Sequence, residues 1–152
     1  MHVTRPTTDA AYLEAATRII FMGGLNRRVV DAKWRGFREA FHGFSVDSVA
    51  DMTPEDVERL AGDDRVIKYW AKLAAVVENA RRMQAIAAEH GSFHAWVTGL
   101  LQAHGLERAC GVLAEEFGYI SKTGGRYWLY ATGHDIGEVG DKVAAKYAPF
   151  DG

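Results

Sequence analysis

The stretch VIKYWAKLAAVVENARRMQAIAAEHG, residues 66–91, decides the fold. Val66, Trp70, Leu73, Val77 and Ala80 fall at steps of four and three, the spacing that lays one apolar stripe along an α-helix. No period-two alternation competes with it, and Gly91 supplies a stop. The same spacing extends outward on both sides. Upstream it runs through Leu13, Ala16, Ile20 and Gly23, then through Val30, Trp34, Phe37 and Phe41. Thr53-Pro54-Glu55-Asp56 opens a further helix, because Thr53 can cap, Pro54 fits the first turn and the acids suit the positive end of the helix dipole. Downstream, Ser92 can cap a helix with Phe93, Trp96, Val97 and Leu100 facing inward, and Leu106, Cys110, Leu113 and Phe117 repeat the spacing. The expectation is an all-α, compact helical domain over residues 1–152, with Trp34, Phe37, Trp70, Trp96 and Phe117 in its core.

Composition agrees with a globular chain. Of 152 residues, 48% are apolar and 25% charged, which excludes a disordered or collagen-like chain. No apolar run approaches the roughly 18 residues of a membrane span, and the N-terminus has no signal-peptide core. A single cysteine, Cys110, rules out an internal disulfide and a Cys-rich zinc site, so a reducing cytoplasm is expected.

The net charge of −2 hides a segregated pattern. Arg18 to Arg38 carries six bases and one acid, and Arg65 to Arg82 five bases and one acid. Glu39 to Asp64 between them carries eight acids and one base. Such a chain either presents a basic face to a polyanion or carries ordinary solvated helix faces.

Two glycine-punctuated turns could carry function. In Gly118-Tyr119-Ile120-Ser121-Lys122-Thr123-Gly124-Gly125-Arg126, a tight turn before a helix would expose backbone amides to one DNA phosphate, assisted by Lys122 or Arg126. The alternative is a plain helix–helix loop. In Gly23-Gly24-Leu25-Asn26-Arg27-Arg28, Leu25 stands at a loop tip beside two arginines. It either fills the space of an unstacked base or packs beneath its own loop. No Walker loop, metalloprotease helix or Ser-x-x-Lys pair is present. Glu89, His90 and His94 lack metal-ligand order, and His42, His104 and His134 stand alone.

Several blocks in order resemble a known family. Gly24-Leu25-Asn26, Val29-Val30, Lys33-Trp34 and Phe37-Arg38-Glu39-Ala40-Phe41 are similar to the opening of bacterial 3-methyladenine DNA glycosylase I. The likeness continues through Phe44 to Asp47, Met52 to Leu60, Asp64, Val66-Ile67, Lys72 and Glu78 to Arg81. It returns from Phe117 to Gly133 after a divergent middle. The resemblance implies a helix-hairpin-helix glycosylase that flips a damaged base from double-stranded DNA and hydrolyses its glycosidic bond.

Residue by residue, it implies that Ser121, Lys122, Thr123, Gly124, Gly125 and Arg126 form the DNA-binding hairpin, and that Gly24 and Leu25 form the intercalating wedge. The matched base pocket comprises Ile19, Met22 and Arg27, with Ile19 where the family has a glutamate and Arg27 where it has a tryptophan. The superfamily's catalytic aspartate falls near Asp141, with Asp135 as second choice; Asp141 read alone is equally a first-turn helix acid. The superfamily's lysine nucleophile falls on Gly125 or Arg126, so simple hydrolysis is expected. With one cysteine the family's zinc snap is not expected, and neither a cofactor, a metal nor a membrane partner is implied. A monomer is expected. The competing readings are a DNA-damage-binding module that has lost catalysis and a helical interaction domain that no longer meets DNA.

Overall fold

The computed structural model describes residues 8–148, which form helices and connecting turns with no strand among them. The helices are α1 (Asp9–Met22), α2 (Arg27–Ala40), α3 (Val46–Ala50), α4 (Pro54–Leu60), α5 (Trp70–His90), α6 (Phe93–Glu116), α7 (Lys122–Ala131) and α8 (Asp141–Lys146). Local chemistry sets most of their starts. Thr8, Asn26, Ser45, Ser92 and Ser121 each accept a backbone N–H from the first turn, and Thr53 with Asp56 forms a reciprocal capping box behind Pro54. Helix α6 is interrupted at Gly105, whose φ of 80° takes the backbone out of helical geometry.

Helix α1 is the central element, and an aromatic cluster packs on each side of it. Trp34 and Phe37 of α2 stack at 5.0 Å, Phe44 lies 5.5 Å from Trp34, and Phe21 meets Phe37 edge-on at 4.7 Å. On the other side Tyr12, Phe93, Phe117 and Trp128 interlock at 5.1–5.7 Å, bringing α6 and α7 onto α1. Glu14 ties α1 to α2 by accepting from Trp34 Nε1 at 2.8 Å and Arg38 Nε at 2.6 Å. Helix α5 packs against α1, α3, α4 and α6, and Arg81 reaches from it to the carbonyls of Ala50 and Met52.

Two expectations need correction. The helix of residues 66–91 begins at Trp70, not Val66. Val66 is buried, but from a turn in which Asp63 Oδ1 accepts the Arg65 N–H at 2.8 Å. The inward stripe of α5 is therefore Leu73, Val76, Val77, Ala80, Met83 and Ile86. Trp70, on the first turn, points out and is 59% exposed rather than buried in the core. Trp34, Phe37 and Phe117 are buried as expected, while Trp96 is half-buried beside Phe93.

Candidate nucleic-acid interface

The turn between α1 and α2 is built to present a side chain. Gly24, at φ 83°, takes a left-handed conformation that favours glycine, and Asn26 caps α2 by accepting the Val29 N–H. Leu25 between them is 38% exposed, so it does not pack beneath its own loop. The loop is held from below. Lys72 of α5 donates to the Gly23 carbonyl at 2.8 Å, and its ammonium sits 5.3 Å over the Tyr69 ring and 5.8 Å over that of Phe21. Burial lowers the Lys72 pKa.

The second turn, between α6 and α7, is clamped by Asn79 of α5. Its side chain accepts the Gly118 N–H at 2.9 Å and donates to the Gly118 carbonyl at 3.2 Å. Tyr119 follows at φ 60°, an uncommon conformation for a non-glycine residue, and its ring is exposed. Ser121 caps α7 through the Gly124 N–H, and the Gly125 N–H bonds the Ser121 carbonyl at 2.7 Å. That leaves the amides of Lys122 and Thr123 as the open first-turn donors of a ten-residue helix.

The six hairpin residues divide between surface and core. Ser121, Lys122 and Thr123 are exposed, whereas Gly125 is buried where a Cβ would lie 3.3 Å from the Cys110 carbonyl oxygen of α6. Gly124 faces α1, where a Cβ would lie 3.7 Å from Ile19 Cγ2. Arg126 turns away from the hairpin: its guanidinium donates to the Ile136 carbonyl at 2.9 Å and pairs with Glu107 at 3.4 Å. Gly125 and Arg126 are thus packing elements of the turn.

The three residues that the resemblance assigns to a base pocket are similarly engaged. Ile19 and Met22 are buried, and Arg27 is joined to Asp31, which also binds Arg18 at 2.5 Å. Arg18 reaches on to the Ala148 carbonyl at 2.7 Å, and Tyr147 stacks on Tyr127 at 4.4 Å, so the end of α8 closes over this region. Asp141 stands exposed at the other end of α8, as its first-turn acid. Asp135 is exposed and accepts the Gly137 N–H at 2.8 Å.

Sequence reading missed the exposed Tyr69, placed Trp70 in the core, and gave Lys72 and Asn79 no clamping role. It also missed a polar cluster at the far end of α7, where the Tyr12 hydroxyl lies 2.7 Å from His94 Nδ1 and 2.6 Å from His134 Nε2. The hydroxyl can donate to one ring and accept from the other. Burial pushes the Tyr12 pKa up to about 12, while burial and then His94 lower that of His134. Cys110 is a buried free thiol, raised chiefly by desolvation. No group of three His, Cys, Asp or Glu residues suited to a metal occurs among the described residues, and no helix among them is long and apolar enough to cross a membrane.

The all-helical scaffold that carries these two turns is shared with solved structures of known proteins. The 3-methyladenine DNA glycosylase I of Staphylococcus aureus superposes with a TM-score of 0.76 at 20% identity, over 87% of this chain and 80% of that one. The chain belongs to the methyladenine glycosylase family, whose model matches residues 5–115. DNA-3-methyladenine glycosylase 1 of Escherichia coli (strain K12) is 41% identical over 58 residues, 38% of this chain and 31% of the relative. The corresponding enzyme of Haemophilus influenzae is 38% identical over 58 residues, again 31% of its length. The alignments to these curated relatives thus span about a third of their length.

Proposed function

We propose that this protein is a monofunctional DNA glycosylase that flips an alkylated purine of the 3-methyladenine type out of duplex DNA and hydrolyses its N-glycosidic bond. The observation that carries the reading is Leu25, exposed at a glycine-built loop tip that Lys72 anchors to α5. An apolar side chain exposed at a loop tip, with Arg28 on the first turn of the helix that follows, suits the gap left by a flipped base. The α6–α7 turn supplies the second contact: the Lys122 and Thr123 amides with the Lys122 ammonium would hold one backbone phosphate. Asp141 is our choice for the carboxylate that stabilises positive charge on the sugar, with Asp135 next. The substrate is double-stranded DNA carrying a damaged base, bound by a monomer without metal or cofactor. The free Cys110 thiol suits a reducing compartment such as the cytoplasm.

Ile19 favours a second reading. A buried aliphatic side chain packed toward Gly124 offers no charge to a cationic base, as a DNA-damage-binding module without catalysis would have it. Incubating the protein with methylated duplex DNA and separating the released bases distinguishes the two. Free methylated purine supports the glycosylase; lesion-selective binding with no release supports the module.

A further inference from the structure

The five large apolar side chains that stand exposed among the described residues are Leu25, Val29, Tyr69, Trp70 and Tyr119. They come from three turns that the structure ties together. Lys72 joins the start of α5 to the α1–α2 loop through the Gly23 carbonyl, and Asn79, two turns further along α5, joins it to the α6–α7 turn through Gly118. The apolar surface left in water is therefore gathered on the proposed DNA face. Tyr69 and Trp70 are its most exposed members after folding, at 51% and 59%, apart from Tyr119 at 52%. The Tyr69 ring lies 5.3 Å from the same ammonium that braces the Leu25 loop, and Trp70 is the next residue along the chain.

We infer that Tyr69 and Trp70 form a stacking platform for the unpaired base left opposite the lesion when the damaged nucleotide is flipped. The inference rests on the DNA reading above. Base flipping creates two vacancies in energetic terms: the gap in the lesion strand and a partner base whose Watson–Crick edge and one π-face are newly free. A single leucine fills the first and leaves the second. Aromatic rings answer the second, because every base has a π-face and stacking does not depend on its identity. The bases near the pair in the chain suit the strand that carries that base: Lys72 lies two residues on, Lys68 just before it can exchange its exposed Asp64 partner for a phosphate, and Arg28 lies on the first turn of α2. Exposure of both rings in the free protein means that no buried core has to open for the base to stack.

A duplex with a tetrahydrofuran abasic-site analogue and 2-aminopurine as the opposite base tests this, with a fluorescein label on one end for anisotropy. The full-length protein should bind it and quench the 2-aminopurine emission. In Tyr69→Ser/Trp70→Ser, affinity for this duplex should fall about tenfold while affinity for the intact duplex changes less than about twofold, and the quenching should vanish. Trp70→Phe should retain most of it, and Leu25→Ala should retain the quenching while weakening binding. Tight binding of the analogue duplex with quenching and affinity unchanged in the double variant overturns the platform and leaves the glycosylase reading standing. A concentration-dependent dimer that the double variant abolishes, with DNA binding unaltered, assigns the rings to a second copy of the chain and likewise overturns it. Failure of the wild type to bind any duplex removes both readings together.

Discussion

Gly36 lies in the middle of α2, where alanine would ordinarily raise stability by about 0.5–1 kcal/mol through helix propensity. The sign should reverse here. A Cβ on Gly36 would lie 2.8 Å from the Arg65 carbonyl carbon and 2.9 Å from Arg65 Cα, and closer still to the carbonyl oxygen. Carbon atoms pack at roughly 3.5–4.0 Å, so helix and turn would have to part. The turn has little room to yield. Asp63 holds the Arg65 N–H, Lys33 holds the Asp64 carbonyl at 2.6 Å, and Val66 beyond is buried. Overpacking against such backbone costs about 1–3 kcal/mol, which exceeds the propensity gain and leaves a net loss of about 1–2 kcal/mol. For a chain of this size that is a fall in Tm of about 2–8 °C. Gly99 of α6, with no heavy atom within 4 Å of its would-be Cβ, is the control, and Gly99→Ala should raise Tm. Thermal unfolding followed by circular dichroism reads both. A Gly36→Ala protein as stable as Gly99→Ala would refute the close approach of α2 to the turn that leads into Tyr69.

Asn79→Ala removes both hydrogen bonds to the Gly118 peptide; it should cost about 1–2 kcal/mol by chemical denaturation and weaken duplex binding by loosening the α6–α7 turn. Stability should also follow pH on both sides. His134 has a lowered pKa, so below its ordinary value of about 6.5 the unfolded chain takes up a proton that the folded one resists, and Tm should fall as the pH drops below that value. Tyr12 is raised from about 10 to about 12, so between these values the unfolded chain loses a proton that the folded one keeps. Tm should decline over that range, and Tyr12→Phe should flatten the alkaline limb; an unchanged limb would exonerate Tyr12. Leu25→Ala should leave stability within about 0.5 kcal/mol because the side chain is exposed. It should weaken binding to an abasic analogue by roughly five- to thirtyfold, and more than binding to intact duplex, as measured by fluorescence anisotropy.

The helices were legible because they depend on neighbours in sequence. Thr53 with Asp56, and Ser92, act within four residues of their targets, and the apolar stripes repeat on the same scale. The reading failed where local bonds interrupt a stripe. Val66 keeps the spacing of α5 yet belongs to a turn organised by Asp63 and Arg65, which moves the helix start to Trp70 and turns that ring outward. The exposed loop tip was legible for a related reason, since Gly24 before Leu25 permits the left-handed backbone that lifts it. The turn before α7 was half legible: its glycines mark it, but the Ser121 cap went unread, and Arg126 is claimed by Ile136 and Glu107, a contact no spacing announces. Tyr12, His94 and His134 meet only through the packing of α1, α6 and α7.

The most direct measurement is single-turnover base release from methylated duplex DNA, with the freed purines and the remaining strand quantified together. The account predicts free 3-methyladenine-type purine and an equal number of abasic sites in unbroken strands, because the resemblance puts Gly125 or Arg126, and no lysine, at the position of the nucleophile that would nick them. Asp141→Asn should slow that release without altering binding to the abasic analogue. Duplex binding with no base released, or strand cleavage through a borohydride-trappable Schiff base, would contradict it.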